Sequence, residues 1–375
     1  MKSSFSFWER ESFFKGFDSV IIGGGIVGLN CALARKREHP QERVIVIERS
    51  YLGLGGSTRN AGFACFGSPS EILADLDKMK REEVISLIQK RWQGLGRLRS
   101  IIGDEALEYQ QTGSVELFTT SQQALESKCH QHITDLNDLL EEAIGHRPYS
   151  ALAKEKLSAE YNFQGFTSGI DNNLEGSIHT GKMFNRLLHL AKQAGVEVIH
   201  GMEVQSISIE GSTPSFVIDQ QEIECQHLFI ATNGFAANLL PSTEVKPARN
   251  LVLISTPGAV QWNGTFHMEE GYVYFRNVHD RLLIGGARHL DEHWDQPNQP
   301  TIPAVRDYLI AIAEQHLLPT SFNIEMEWTG YLGVADTKTT ILKQLAPHSA
   351  IGVRMGGMGV AIGSLVGEEL AGMVP

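Results

Sequence analysis

The stretch from residue 17 to residue 48 constrains the fold of this chain more than any other. It reads as an apolar strand (17–22), a turn of the form GxGxxG (23–28), a helix, and a second strand that ends in Glu48. In such a turn the first glycine permits a sharp bend, the second lets the backbone approach a pyrophosphate, and the third lets the helix pack on the sheet. The helix N-terminus then attracts the phosphate charge. The stretch therefore predicts a dinucleotide-binding βαβ unit.

Glu48 narrows the choice of cofactor. It follows Gly28 by twenty residues, at the end of the second strand. A carboxylate at that place accepts both hydroxyls of an adenosine ribose and disfavours the 2′-phosphate of NADP. The turn itself does not separate FAD from NAD, so both cofactors stay open at this point.

Composition bounds the class of protein. A chain of 375 residues with 42% hydrophobic content is long enough for two interleaved domains. The net charge of −12 argues against a nucleic-acid surface. Four widely separated cysteines, without a CxxC pair, suggest neither a zinc site nor a disulfide framework, so we expect no metal and a reducing, cytoplasmic setting. We also expect no signal peptide and no membrane span, because charges interrupt the N-terminal segment and no apolar run is long enough.

The rest of the chain alternates helices and strands. Apolar residues at helical spacing predict helices in 70–102 (two helices), 122–142, 180–194 and 303–316. Alternating or buried apolar runs predict strands at 114–119, 196–199, 204–209, 226–233, 271–276 and 281–286, the last two forming a hairpin. The segment from 350 to the C-terminus is again a strand, a glycine turn and a helix, whose N-terminus offers free N–H groups to an oxygen nearby.

Six segments, taken in order, resemble the superfamily of FAD-dependent D-amino-acid oxidases and glycine oxidases. Among its members, the sequence is most similar in character to the gamma-glutamylputrescine oxidase-like proteins. They are the turn at 23–28 with Glu48, the Ser-Thr-Arg-Asn-Ala-Gly loop at 57–62, Ala-Thr-Asn-Gly at 231–234, the hairpin at 272–286, Trp-Thr-Gly at 328–330, and Gly-Gly-Met-Gly at 356–359. Together they span nearly the whole chain.

The resemblance implies an α/β fold in two parts. One is a Rossmann-type FAD-binding domain with a βαβ unit of the glutathione-reductase-like (GR2) kind, assembled from residues 1–75, 160–240 and 328–375. The other is an inserted α+β substrate domain, built on a mixed antiparallel sheet, from residues 76–159 and 241–327.

The resemblance also implies where FAD would bind. In that family the first motif holds the ADP half, the arginine–asparagine loop lines the isoalloxazine, and the C-terminal helix points at the flavin N1 and O2 edge. Sarcosine oxidases tether the flavin through a cysteine near the stretch after Trp328, and this chain has none there, so we expect non-covalent FAD. The cofactor residues so implied are Gly23, Gly25, Ile26, Val27, Gly28, Glu48, Arg49, Ser57, Thr58, Arg59, Asn60, Ala61, Gly62, Val204, Thr232, Asn233, Gly234, Gly330, Gly356, Gly357, Met358, Gly359 and Val360.

The substrate side departs from the family at two positions. Glycine and D-amino-acid oxidases bind the substrate carboxylate with an arginine shortly after the Trp-x-Gly position, where this chain has Leu332. Sarcosine oxidases activate O2 with a lysine that Leu283 replaces here, so an oxidase and a dehydrogenase both stay open. The catalytic candidates are Tyr272, Tyr274, Arg276, Arg288 and Tyr331, with Arg276, Arg288 or Arg354 as sources of the missing positive charge.

These features predict an FAD-dependent oxidoreductase. The expected substrate is a small amine or amino acid, oxidised at its C–N bond by hydride transfer to flavin N5, with O2 or another acceptor taking the electrons. The alternative is a flavin dehydrogenase of a 2-hydroxy acid or another non-amine. An NAD-dependent Rossmann enzyme is disfavoured by the glycine turn at 356–359. The sequence does not indicate an oligomeric state.

Overall fold

The structure, a computed structural model, describes residues 5–53, 55–211, 213–300 and 302–375. Residues 1–4 of the predicted FAD domain and residue 54 before the predicted flavin loop lie outside this part. The α-helices of the described residues are α1 (Phe7–Phe13), α2 (Ile26–Glu38), α3 (Gly56–Arg59), α4 (Pro69–Leu76), α5 (Arg81–Ile102), α6 (Asp104–Leu107), α7 (Gln123–Gln131), α8 (Ile133–Ile144), α9 (Lys154–Tyr161), α10 (Thr180–Gln193), α11 (Pro303–Ile312) and α12 (Gly359–Ala371).

The strands are more numerous and mostly short. They are β1 (Phe17–Ile22), β2 (Val44–Glu48), β3 (Phe63–Ala64), β4 (Ser114–Thr119), β5 (Tyr149–Ala153), β6 (Phe166–Asn172), β7 (Gly176–Ser177), β8 (Glu197–His200), β9 (Ser206–Ser208), β10 (Ser215–Ile218), β11 (Gln221–Ile230), β12 (Lys246–Ser255), β13 (Thr265–Met268), β14 (Val273–Val278), β15 (Arg281–Gly286), β16 (Ile324–Val334), β17 (Ile341–Ala346) and β18 (Ser349–Val353). Short helical turns occupy Thr120–Gln122, Asn233–Asn238, Arg288–Leu290 and Ala313–Leu317.

Two predicted helices differ in detail from the structure. The predicted helix at 122–142 is a pair, α7 and α8, because His132 adopts φ −100° and ψ 9° and so leaves the helical region. The apolar spacing continues across this break since Cys129 and Leu136 still enter one core cluster. The predicted helix at 303–316 is α-helical only to Ile312 and ends in a π-helical turn.

The first large sheet contains the opening βαβ unit. Its strand order is β17-β18-β11-β1-β2-β8, with the pair β9 and β10 attached to β11. The pairings from β18 through β11, β1 and β2 to β8 are parallel. Both faces of these strands are buried, because Ile21 packs in one core cluster whereas Val20 and Ile22 pack in another. The predicted Rossmann-type arrangement is therefore present.

Three helices on one face of this sheet approach one another at very short range. A Cβ atom built on Gly94 of α5 would overlap the carbonyl oxygen of Ala361 in α12. A Cβ on Gly367 of α12 would lie 2.5 Å from the carbonyl oxygen of Val27 in α2. Glycine thus lets α2, α12 and α5 approach backbone to backbone.

The second large sheet is antiparallel apart from one pair. Its order is β16-β12-β15-β14-β13-β4-β6-β5, and only β13 and β4 among its pairs run parallel. One face is apolar and packs on α9 and α11. The other face turns toward residues 59–63, where Ala61 packs with Val252 and Leu283. The mixed antiparallel sheet that the resemblance implied is present.

The sheets divide the chain nearly as the expected domain boundaries do, with two differences. Residues 328–334 of β16 pair with β12 in the second sheet, although residues 328–375 were assigned to the FAD domain. β6 (Phe166–Asn172) pairs with β4 and β5 in the second sheet, although residues 160–240 were assigned to the FAD domain. The division into two domains stays a prediction. No helix in the described ranges is both long and apolar enough to cross a membrane.

Candidate active site

A cavity opens at the carboxyl ends of β1, β2 and β11, where open α/β sheets bind their ligands. Most residues predicted to contact FAD line it: Gly23, Gly25, Ile26, Val27, Glu48, Arg49, Ser57, Asn60, Val204, Thr232, Asn233, Gly234, Gly357, Gly359 and Val360. The remaining predicted residues do not line it: Gly28, Thr58, Arg59, Ala61, Gly62, Gly330, Gly356 and Met358. The N-terminal turn and the C-terminal helix therefore meet at one cavity.

The glycine turn has the close approaches expected of its spacing. Gly23 adopts φ 108°, and a Cβ there would lie 2.6 Å from the carbonyl oxygen of Ala231. A Cβ on Gly28 would overlap the carbonyl oxygen of Gly23 and lie 3.2 Å from the side chain of Ile21. The third glycine thus sets how closely α2 packs on β1.

Glu48, at the end of β2, hydrogen-bonds to the glycine turn that follows β1. Its Oε2 accepts the backbone N–H of Gly24 at 2.9 Å, and its Oε1 accepts from the backbone N–H and the hydroxyl of Ser50 at 2.9 and 2.6 Å. A carboxylate has about four acceptor positions, so capacity remains for a hydroxyl in the cavity.

Helix α3 brings the predicted flavin loop against the start of α2. The hydroxyl of Ser57 accepts the backbone N–H of Ile26 at 2.9 Å, in the first turn of α2. Farther along, Arg59 donates to the carbonyl oxygen of Thr329 at 2.8 Å, and its own carbonyl oxygen accepts from the indole of Trp328 at 3.1 Å. The loop therefore bridges the first sheet and β16.

Asn233 joins the end of β11 to the turn before α12. Its Oδ1 accepts the backbone N–H groups of Arg354 and Met355 at 3.1 and 3.2 Å. A Cβ on Gly333 would overlap this same side chain. Segments separated by more than a hundred residues thus converge on one amide.

Several lining residues were not among those predicted to contact FAD: Ile22, Ile47, Ser50, Gly53, Gly55, Gly56, Met202, Glu203, Ala231, Phe235, Asn238, Leu239, Leu332 and Met355. Most are neighbours of predicted positions in the chain. Met202, Glu203 and Phe235 gave no separate signal. Phe235 lies under the guanidinium of Arg49, 4.0 Å from the ring centre, and this packing depends on tertiary structure.

The five catalytic candidates occupy three different places. Tyr331 lines the cavity, and its hydroxyl donates to the carbonyl oxygen of Pro297 at 3.0 Å. Tyr274 and Arg276 lie on the face of β14 that turns toward residues 59–63. Tyr272 precedes β14 and packs under the guanidinium of Arg288, away from the cavity lining.

Arg276 is a buried guanidinium without a carboxylate partner among the described residues. Only 8% of it is exposed, Nη1 donates to the carbonyl oxygen of Gly62 at 2.9 Å, and Nε is buried with no hydrogen-bond partner there. Burial lowers the pKa of Arg276 to about 10, which leaves the group charged at neutral pH.

Two buried carboxyl groups, those of Glu175 and Glu116, contact the segment 65–71. Glu175 accepts from the backbone N–H groups of Phe66 and Gly67 at 2.7 and 3.1 Å and from the hydroxyl of Ser114 at 2.5 Å. The side chain of Glu116 accepts from the backbone and hydroxyl of Ser70. Burial raises the pKa of each of these two carboxyls to about 7.

The same region brings three potential metal ligands together. Atoms of Cys65, Glu175 and His267 lie within 4.8 Å of one another. Burial raises the pKa of the Cys65 thiol, and both Glu175 oxygens already accept hydrogen bonds that fix the loop. This arrangement fits a structural role of Glu175, and the expectation of no metal stays a prediction.

The Glu116→Gln variant should become more stable relative to the wild type as the pH rises. Between pH 4.5 and about 7 the folded protein keeps a proton on Glu116 that the unfolded chain has lost, so the wild type loses stability over this window. Because the amide does not titrate, the variant avoids this loss, which is about 1–3 kcal/mol in the free energy of unfolding. Urea unfolding at several pH values measures the difference. The exposed Glu82→Gln is the control, and a Glu116→Gln effect independent of pH would contradict the prediction.

Comparisons with known proteins bear on the family and the fold. Residues 18–373 match the family model described as FAD dependent oxidoreductase (DAO). No curated protein matches the sequence. Glycine oxidase from Geobacillus kaustophilus has a similar structure, with a TM-score of 0.77 and 18% identity over 95% of this chain and 94% of that one.

Two further solved structures are similar. Iminodiacetate oxidase from Chelativorans sp. BNC1 has a TM-score of 0.75 and 18% identity over 95% of this chain and 96% of that one. L-proline dehydrogenase from P. horikoshii has a TM-score of 0.72 and 16% identity over 96% of this chain and 93% of that one. At these identities the three structures establish a shared fold.

Proposed function

The chain belongs to the DAO family of FAD dependent oxidoreductases, and on this premise we propose that it oxidises the C–N bond of a small amine or amino acid. The family makes the chain an enzyme with FAD as cofactor. The C–N bond, the substrate class and the residues that bind the substrate are the proposed part.

The residues present fit FAD. Glu48, Gly23 and Gly25 line the cavity together with Gly357 and Gly359. The hydroxyl of Thr232, which also lines the cavity, is buried without a hydrogen-bond partner among the described residues. A buried polar atom of this kind is satisfied when a ligand group binds beside it. When bound, FAD supplies the hydride acceptor at N5.

The observation that most favours an amino acid is the unpaired guanidinium of Arg276. A buried cation without an anion is costly, and a substrate carboxylate would compensate it. The two alternative arginines fit less well. Arg354 donates to the carbonyl oxygens of Thr339 and Glu244 at 2.6 and 3.1 Å, whereas Arg288 packs on Tyr272. We therefore assign the carboxylate to Arg276.

The apolar group beside Arg276 supports the same chemistry. Leu283 packs there with Val252 and Ala61, and Trp328 adjoins them. Such a wall excludes water and favours the neutral amine over its ammonium form. The neutral amine is the form that can lose a hydride from the carbon next to nitrogen. Leu283 has no charged group that could activate O2. The proposal therefore leaves the electron acceptor open between O2 and another oxidant. The similar structures comprise two oxidases and a dehydrogenase.

The proposal includes the cytoplasmic location expected from the sequence. Cys31, Cys65, Cys129 and Cys225 are all buried and free, as in proteins of reducing compartments.

An absorption spectrum and anaerobic bleaching test the proposed function. We expect a yellow protein whose flavin is bleached by an amine or amino acid of a panel containing glycine, D-alanine, sarcosine, methylamine and putrescine, with lactate and glycolate tested beside them as 2-hydroxy acids. Re-oxidation in air then separates an oxidase from a dehydrogenase. A colourless preparation that FAD cannot reconstitute would contradict the cofactor. Bleaching by 2-hydroxy acids alone would favour the alternative function.

The Arg276→Gln variant should bind a carboxylate substrate at least tenfold more weakly, because a charged hydrogen bond is lost. Arg276→Lys should recover part of the affinity. The measurement is the half-saturating concentration for anaerobic bleaching by the best amino acid of the panel, with acetate as a competing carboxylate. If Arg276→Gln still binds acetate as the wild type does, Arg276 is not the carboxylate site.

A further inference from the structure

A buried amide next to Tyr274 has a free acceptor atom. Asn250 of β12 is only 6% exposed, and its Oδ1 has no hydrogen-bond partner among the described residues. Its Nδ2 donates to the hydroxyl of Tyr274 at 3.5 Å, a long bond. Leaving a buried carbonyl oxygen unsatisfied costs about 1–3 kcal/mol, so its retention calls for an explanation.

A glycine makes this pair possible. Asn250 and Tyr274 lie on β12 and β14, which β15 separates. A Cβ on Gly285 of β15 would lie 2.8 Å from the hydroxyl oxygen of Tyr274. The absent side chain thus lets the phenol ring lie across β15 and reach the amide.

The pair faces the predicted flavin loop. Asn250 is the direct antiparallel partner of Gly330, so their side-chain positions lie on one face of the sheet. A Cβ on Gly330 would point at Arg59 and lie 3.1 Å from its carbonyl oxygen. Tyr274 meets Phe63 edge to face, with ring centres 5.5 Å apart. Asn250 and Tyr274 are therefore on the same side as Arg276 and Leu283.

We propose that Asn250 Oδ1 and the adjacent Tyr274 hydroxyl form the subsite that binds the amine nitrogen of the substrate. The inference rests on the proposed function and extends it, because Arg276 would bind the carboxylate and Asn250 the nitrogen. The amide oxygen accepts one amine N–H, which leaves the nitrogen lone pair free.

The surroundings favour a neutral amine at this subsite. An amide oxygen carries no net charge, so it stabilises an ammonium group less than a carboxylate would. The charged or titratable groups that face the pair are the guanidiniums of Arg276, Arg59 and Arg288, and the imidazole of His267 opposite Tyr274. Burial lowers the pKa of His267, which keeps it neutral, and burial raises the pKa of Tyr274 to about 12.

The test uses the holoenzyme and three variants. Asn250→Leu removes the acceptor at nearly constant volume, and Asn250→Asp converts it to a carboxylate. Asn173→Asp, on the exposed turn after β6, makes the same chemical change elsewhere. The probe is the panel amine that bleaches the wild type fastest, and acetate is the nitrogen-free comparison. Retained flavin and far-UV circular dichroism establish that each variant is folded.

We expect Asn250→Leu to raise the half-saturating concentration of the amine about tenfold while acetate binding stays unchanged. Asn250→Asp should shift the pH profile of bleaching upward by about one unit, because the carboxylate holds the ammonium form. Asn173→Asp should match the wild type. If Asn250→Leu fails to fold, the pH profile of Asn250→Asp decides.

Two negative results have different meanings. If no amine of the panel bleaches the wild type, the proposed function fails and this inference fails with it. If the wild type is bleached and both Asn250 variants keep its affinity and pH profile, only the amine subsite is wrong.

Discussion

Replacing Gly28 by alanine should abolish FAD binding and lower the free energy of unfolding by about 3 kcal/mol. The added Cβ would overlap the carbonyl oxygen of Gly23 and press on Ile21. Because the overlap is with backbone, no side-chain rotation relieves it, and α2 must move away from β1. That movement displaces the N–H groups at the start of α2 from the cavity. Visible flavin absorbance after reconstitution, together with urea unfolding, measures both effects.

The two effects can be separated. Stability measured without FAD isolates the packing term, because bound ligand adds to the apparent stability. A Gly28→Ala protein that is as stable as the wild type and binds FAD equally would show that the helix can shift without cost, and the account of this turn would be wrong.

Alanine at Gly94 should destabilise the fold by about 2–3 kcal/mol, whereas alanine at Gly96 in the same helix should stabilise it by up to about 1 kcal/mol. A Cβ on Gly94 would overlap the carbonyl oxygen of Ala361, while a Cβ on Gly96 would meet nothing within 4 Å. The helix-propensity gain is the same at both sites, so the difference reports the contact between α5 and α12. Urea unfolding of the two variants measures it.

Gly96→Ala is also the control for the Gly28→Ala variant, since it adds the same methyl group on an open helix surface. If Gly94→Ala and Gly96→Ala changed stability in the same direction by the same amount, the close approach of α5 and α12 would not limit the packing.

Local pattern was enough to predict the βαβ unit, whereas the family resemblance needed six segments in order along the chain. The spacing of the three glycines and Glu48 is a property of one short stretch, and Gly23, Gly25 and Glu48 line one cavity, whereas Gly28 packs α2 on β1. The face of β14 was also predictable, because side chains alternate along a strand. Tyr272 was assigned to that strand, but β14 begins at Val273 and the Tyr272 ring packs against Arg288 instead.

Contacts between distant segments could not be predicted. Asn250 belongs to no motif, and its contact with Tyr274 depends on the phenol ring reaching across Gly285. Glu175 and His267 are far apart in the chain, and only the folded sheet places their side chains 4.0 Å apart. Such arrangements depend on tertiary packing, which leaves no periodic trace in the sequence.

The contact between α2 and α12 has a consequence for how the protein is made. Helix α12 completes both the core around Val27 and the cavity at Gly359, yet it begins at residue 359 while α2 ends at residue 38. At about 5–20 residues per second, a ribosome needs about 15–60 s to cover that distance. During this interval the surface of α2 that packs on α12 has no native cover on the nascent chain. We therefore expect stable FAD binding only after α12 has been synthesised, and a chain stalled before residue 359 should not retain the cofactor.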